Sequence, residues 1–83
     1  MAGLQAARAK AEIARRIRRL ALGNPGDVKP VGEGVSELRI HYGPGYRVYY
    51  VQRRNLLTVL LCGGDKRAQA NDIALALKLA KAV

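Results

Sequence analysis

Five side chains able to hold or stabilise an anion fall within one stretch of the 83-residue chain: Arg39, His41, Arg47, Tyr49 and Lys66, in VSELRIHYGPGYRVYYVQRRNLLTVLLCGGDKRAQAND from Val35 to Asp72. Guanidinium and ammonium groups bind phosphate or carboxylate and stabilise charge that develops on oxygen. An aromatic ring beside them suits RNA, whose unstacked bases want a flat surface. Conventional nucleophilic catalysis lacks its parts: Ser36 and His41 are the only serine and histidine, and they fall on opposite faces of one strand. One histidine, one cysteine and scattered acids make no metal-ligand set, so neither a metal nor another cofactor is expected.

These groups act together only if a sheet places them. Val35 to Tyr42 and Tyr46 to Gln52 alternate as half-buried strands do, and Gly43-Pro44-Gly45 closes a hairpin between them. Pairing about Pro44 sets Tyr42 opposite Tyr46, Arg39 opposite Tyr49 and Leu38 opposite Tyr50, with Arg47 facing His41. One face then carries Arg39, His41, Arg47 and Tyr49, and the other Leu38, Ile40, Tyr42, Val48 and Tyr50. Arg53-Arg54-Asn55 reads as the next turn. Leu56 to Cys62 is almost continuously apolar, the pattern of a strand covered on both faces and hence central in its sheet. Gly63-Gly64-Asp65-Lys66 ends that strand, and Asp65 can cap a helix with Gln69, Ile73, Ala76, Leu77 and Ala80 on one face.

Upstream, Gln5 to Leu22 predicts an amphipathic helix, with Ile13, Ile17 and Leu20 opposed to Arg8, Glu12, Arg15 and Arg19. Glu12 lies four residues from both Arg8 and Arg16. Gly23 fits a C-cap and Asn24-Pro25-Gly26-Asp27 a turn. Val28 to Val31, holding Pro30, is a loop or an edge strand, and Gly32-Glu33-Gly34 is a turn that lacks the third glycine of a phosphate loop. The sum is one α+β domain over residues 1–83: an N-terminal helix, an antiparallel meander of three to four strands, and a C-terminal helix.

Composition narrows the partner. The chain has 15 Lys+Arg against 6 Asp+Glu, a formal charge of +9, which favours a polyanion such as nucleic acid or an acidic protein. Its length is near the limit at which burial outweighs chain entropy, so a large internal cleft is not expected. Cys62, inside an apolar run, reads as a buried thiol. No window is long and apolar enough to span a bilayer, and the expectation is a cytoplasmic protein without membrane contact. The Arg-rich, acid-poor start also fits a transit peptide or a membrane-surface helix, though its apolar face is mostly alanine.

Each candidate has a structural reading as well. Tyr42, Tyr46 and Tyr50 suit core or rim positions, Arg39 can pair with Glu37, and His41 can face solvent. The six cations from Arg8 to Arg19 form either a solvated helix face or a surface that follows a phosphate backbone. Arg47, between Tyr46 and Val48 in mid-strand, has to reach past bulky neighbours to a partner or to solvent.

The runs ELRIHYGPGYRVYY and LLCGGDKRAQANDIALALKLA, preceded by RIRRLALGNPGDVKPVGEGVSELRI, closely resemble the RelE/ParE toxin superfamily of bacterial toxin–antitoxin modules, in particular the HigB-like addiction module killer proteins. The resemblance runs from about Ala7 to the end. It implies a RelE-like fold and a ribosome-dependent mRNA endonuclease that inhibits translation, partnered by the ribosome, mRNA and a cognate helix-turn-helix antitoxin of HigA type. In such toxins the 2′-hydroxyl of the message attacks its own adjacent phosphate, and Arg and Lys neutralise the resulting charge. The arginine of the G-Y-R motif is Arg47, which would contact the scissile phosphate. The cation after the last strand is Lys66, and Arg39, His41 and Tyr49 complete the catalytic set implied. Lys29 and Arg39 are the substrate or general-base candidates it implies, and Lys29, Arg53, Arg54, Arg67 and Asp72 are the expected RNA-binding positions. Asp72 stands near the place where some relatives carry a catalytic tyrosine, so Tyr49 or His41 would have to supply the proton transfer.

The resemblance also implies a departure. Relatives begin with a further strand and a first helix, where this chain has Met1-Ala2-Gly3-Leu4. The expected consequence is an exposed sheet edge and an uncovered stripe at Ile13 and Ile17, favouring a homodimer or partial disorder. Two other functions stay open: a gyrase-inhibiting toxin of ParE type, which needs no nuclease site, and a non-catalytic basic module that binds RNA or an antitoxin.

Overall fold

Alternation in the middle of the chain produces a four-stranded antiparallel meander. The computed structural model describes residues 2–54 and 57–83, and for residues 2–5 the backbone only. Asn55 of the expected turn and Leu56, the expected start of the last strand, lie outside the described residues. In order, the elements are α1 (Ala2–Ala21), β1 (Val28–Gly32), β2 (Val35–Ile40), β3 (Tyr46–Arg53), β4 (Leu57–Asp65), a 3-10 turn (Lys66–Ala68) and α2 (Gln69–Ala80). The strand order is β1-β2-β3-β4, all neighbours antiparallel.

A helix covers each face of the sheet. Leu38, Ile40, Val48 and Tyr50 face α1 through Leu20, with Ile13 and Ile17 packed against them. The stripe expected to be uncovered is therefore covered by the sheet itself. On the opposite face Val35, Tyr49 and Val51 meet Ala76 of α2, with Val59, Leu61, Cys62, Ile73 and Leu77 around them. α1 ends as its sequence requires: Gly23 sits at φ 85°, its N–H reaches Leu20 O at 3.0 Å, and the Asn24 N–H reaches Arg19 O at 2.9 Å. Glu12 pairs with Arg15, one turn on, rather than with Arg8 or Arg16. Arg16 is buried instead, and its Nη2 donates to Pro25 O at 3.0 Å, fastening the loop after α1.

Within the sheet, two further expectations change. The β2–β3 register pairs Leu38 with Val48, Arg39 with Arg47 and Ile40 with Tyr46, two residues away from symmetry about Pro44. Residues 41–45 form a five-residue loop closed by Gly45 N–H to Tyr42 O at 3.0 Å, with Gly43 and Gly45 both at positive φ. A shift of two preserves the faces, so Glu37, Arg39, Arg47 and Tyr49 still share one side. The second change is β4, which is an edge strand and not a central one. Its apolar run reflects α2 on one face, while Leu57 and Leu60 are 59% and 47% exposed. β1 is the other edge, and Glu33 (φ 52°) with Gly34 (φ 80°) makes the two-residue turn into β2.

α2 lies so close to β4 that a side chain at Gly64 fits only if Asp72 moves. A Cβ at Gly64 would lie 2.1 Å from Asp72 Oδ2, a buried oxygen. Gly64→Ala should cost about 1–3 kcal/mol by overpacking, and Asp72→Ala in the same chain should recover part of it in urea denaturation. An unchanged midpoint for Gly64→Ala would contradict the packing described.

Candidate phosphate-binding site

The site is built on a buried charge. Glu37 on β2 is fully buried and faces α2, directly across from Tyr49. Its Oε1 accepts from Arg39 Nε at 2.9 Å and Arg47 Nη1 at 3.3 Å, and its Oε2 from Tyr49 OH at 2.9 Å and Gln69 Nε2 at 2.7 Å. Strand geometry explains the convergence. Arg39 is two residues along the same face, Arg47 stands opposite Arg39, and Gln69 opens α2 above them. Burial alone would raise the Glu37 carboxyl, but the hydrogen bonds from Arg39, Gln69 and Tyr49 and the Arg47 charge outweigh it, and the group titrates below its usual range. For Tyr49, burial and the bond to Glu37 push the phenol well above its ordinary value, so it stays a donor.

Beside this cluster a cavity of about 330 Å³ is lined by His41, Tyr42, Gly43, Pro44, Gly45, Arg47 and Lys66. Two loops make it. The 41–45 loop packs against the 3-10 turn, where a Cβ at Gly45 would stand 3.8 Å from Lys66 Cβ. The turn is fixed by Asp65, whose Oδ1 accepts from Arg67 N at 3.0 Å and Ala68 N at 3.3 Å, as the sequence predicts for a cap. His41 lies beyond the end of β2 and is largely exposed, with Nε2 2.5 Å from Asp27 Oδ2. That hydrogen bond holds the Asp27 carboxyl below its usual range. An imidazole that donates Nε2–H to a carboxylate keeps its lone pair on Nδ1, the arrangement of an oriented base.

The structure thus brings Arg47, Lys66 and His41 to one cavity and sets other candidates elsewhere. Arg39 and Tyr49 join Glu37 and do not line it. Lys29 is exposed on β1, paired in register with Glu37. Arg67 is exposed beside Lys66 and bonds Asp65 at 3.1 Å. Arg53 lies six residues along β3 from Arg47, about 20 Å away at 3.3 Å per residue. Its Nη2 donates to Val83 O at 2.6 Å and Ala80 O at 3.4 Å, fastening the end of α2. Arg54 is exposed at the end of β3, and Asp72 packs on Gly64. Sequence reasoning sees Glu37 only as a partner for Arg39 and misses Asp27 and Gln69. The Glu-x-Arg alternation in β2 carries the signal for Glu37, whereas nothing local ties Asp27 to a histidine 14 residues on.

The profile of a family described as "Phage derived protein Gp49-like (DUF891)" matches residues 4–81. The chain belongs to this family. Gp49-like proteins are toxin-like, of the RelE/HigB type. An uncharacterized protein of Haemophilus influenzae (strain ATCC 51907 / DSM 11121 / KW20 / Rd) is 54% identical over 74 residues, which cover 89% of this chain and 75% of that protein. No solved structure matches. Among the described residues of this Gp49-like chain, no helix is long and apolar enough to cross a membrane.

Removing the buried carboxylate tests the cluster. Glu37→Ala leaves two guanidinium groups and a buried phenol without their acceptor and should cost about 3–5 kcal/mol. The pH dependence has a definite sign. A depressed carboxyl contributes stability that is complete above its unfolded value, near 4.5, and is lost as pH falls through the lower folded value. Melting curves from neutral pH to pH 3 should therefore fall less steeply for Glu37→Gln than for the parent.

Proposed function

We propose that the chain is the toxin of a toxin–antitoxin module and cleaves mRNA on the ribosome. The observation that carries this reading is the cavity that joins Arg47 and Lys66 with the Asp27-held His41. The cations take the scissile phosphate, Arg47 from a half-buried position steadied by Glu37 and Lys66 from the exposed turn. His41 accepts the proton of the 2′-hydroxyl as that oxygen bonds to phosphorus. The bond to the 5′ oxygen then breaks, and that oxygen takes up a proton, leaving a 2′,3′-cyclic phosphate and a 5′-hydroxyl. Charge on the five-coordinate phosphorus is met by Lys66 and by Arg47, and Arg47, already held by Glu37, need not reorganise as the charge develops.

Family membership supports an antitoxin as partner, and the net charge of +9 supports an RNA-rich target such as the ribosome. The helix-turn-helix character of that antitoxin and the HigB-type assignment within the family belong to this proposal. No metal is required, because the cations are the protein's own.

The experiment is induction in a cell without antitoxin, with message 5′ ends mapped. New ends should accompany growth arrest, and Lys66→Ala, at an exposed position, should reduce cleavage about a hundredfold to a thousandfold without moving the melting temperature. Arrest with intact messages would sink the nuclease reading, and impaired DNA supply in that case would point to gyrase.

A further inference from the structure

We propose that Arg16 is a positioning residue for His41: buried beneath the loop after α1, its guanidinium fixes Asp27, and Asp27 fixes the imidazole beside the cavity. The role rests on the reading of His41 as the base in the cleavage proposed above. Arg16 is only 9% exposed and shares its helix with Ile13, Ile17 and Leu20, which pack on the sheet. An arginine that deep is ordinarily paired with an acid. Among the described residues no carboxylate lies within ion-pair distance of Arg16, and its buried Nε has no partner. Packing alone would be served by a methionine, so the charge and the donors call for another use.

That use is the loop. Arg16 Nη2 donates to Pro25 O at 3.0 Å, and Gly26, at φ 80°, lets the backbone close over the guanidinium: a Cβ there would stand 3.0 Å from Nη2. Asp27 comes next in the chain, and its backbone oxygen accepts from the Arg39 N–H of β2 at 2.9 Å. The residue is therefore tied at two points, to α1 through Pro25 and to β2 through its own carbonyl. The His41 bond, and after it the Arg39 and Arg16 charges, hold its carboxyl below the usual range. These ties matter because the contact they support is exposed. The side chains of His41 and Asp27 are 73% and 43% exposed, and two free rotors in water order each other poorly. With Asp27 already placed, only the imidazole has to be ordered. Arg47 and Lys66, the other charges at the cavity, come from β3 and the 3-10 turn and act on the opposite partner, the phosphate.

His41 is the only histidine, so isotope-labelled histidine reports a single ring by NMR, in the full chain and without RNA. With the imidazole neutral, the parent ring should be protonated at Nε2 and have an order parameter of about 0.85, as in rigid backbone, and Asp27→Ala should lower it below about 0.6. Arg16→Met should loosen the ring to the same degree, and adding it to Asp27→Ala should loosen it no further, since one acts through the other. Arg16→Lys keeps the stem and a charge but not the planar fork, and should fall between; it decides alone if Arg16→Met does not fold. On message-loaded ribosomes the Arg16 variants should lower kcat, about tenfold to a hundredfold for Arg16→Met, with KM unchanged. The proposal is overturned by a mobile ring in the parent, by a ring as ordered as the parent's in the folded Arg16 variants, or by a double variant looser than Asp27→Ala alone. A rise in KM with kcat kept would also overturn it and make Arg16 an RNA contact. A parent that cleaves no message, while its ring responds as described, would sink the nuclease reading and leave the orienting role of Arg16 standing.

Discussion

A single carboxylate with no access to water constrains the rest of the structure. Glu37 is tolerable in the interior only because two guanidinium groups, a phenol and an amide bond it at 2.7–3.3 Å. These partners come from its own strand, the next strand and the first turn of α2. Satisfying one buried charge therefore fixes the β2–β3 register, the seat of α2 and the direction of Arg47. The site inherits its rigidity from that requirement. A cation held by a buried acid loses little further entropy when it meets a phosphate.

The same arrangement explains a division of labour among the basic residues. Arg39 and Arg47 are both committed to Glu37, yet only Arg47 also borders the cavity. Lys66 is carried instead on a turn whose geometry Asp65 determines. Arg16 and Arg53 are structural in a different sense, each donating to backbone carbonyls at the end of a helix or loop. A strongly basic composition conceals these roles. Of the cations, some neutralise, some fasten, and a few face the partner.

Much of this is legible in the chain. The period of two in Val35–Ile40 and Tyr46–Arg53 marks the strands and their faces, and Gly23 and Asp65 mark helix boundaries with defined chemistry. The hairpin register is not legible, because Gly43-Pro44-Gly45 looks like a self-contained turn whereas His41 and Tyr42 also leave the strand. The place of β4 escapes for a different reason: an apolar run reports covered faces, and edge or centre depends on hydrogen-bonding neighbours that side chains do not encode. The His41–Asp27 contact and the cavity are beyond reach as well. They arise where loops meet, and no periodicity describes that.

The order of the strands has a kinetic meaning as well. Every strand pairs with its neighbour in sequence, so the sheet can assemble as successive hairpins with little loop-closure entropy. The contacts that span more than a hairpin are those of the two helices, α1 with β3 through Leu20 and Tyr50, and α2 through Gln69 to Glu37 across 32 residues and Arg53 to Val83 across 30. Until α2 docks, the sheet can exist with Glu37 still open to water on that side. Desolvation of the Glu37 cluster is thus completed by α2, which is made after all four strands, and a nascent chain acquires its full charge network only once that helix has been synthesised.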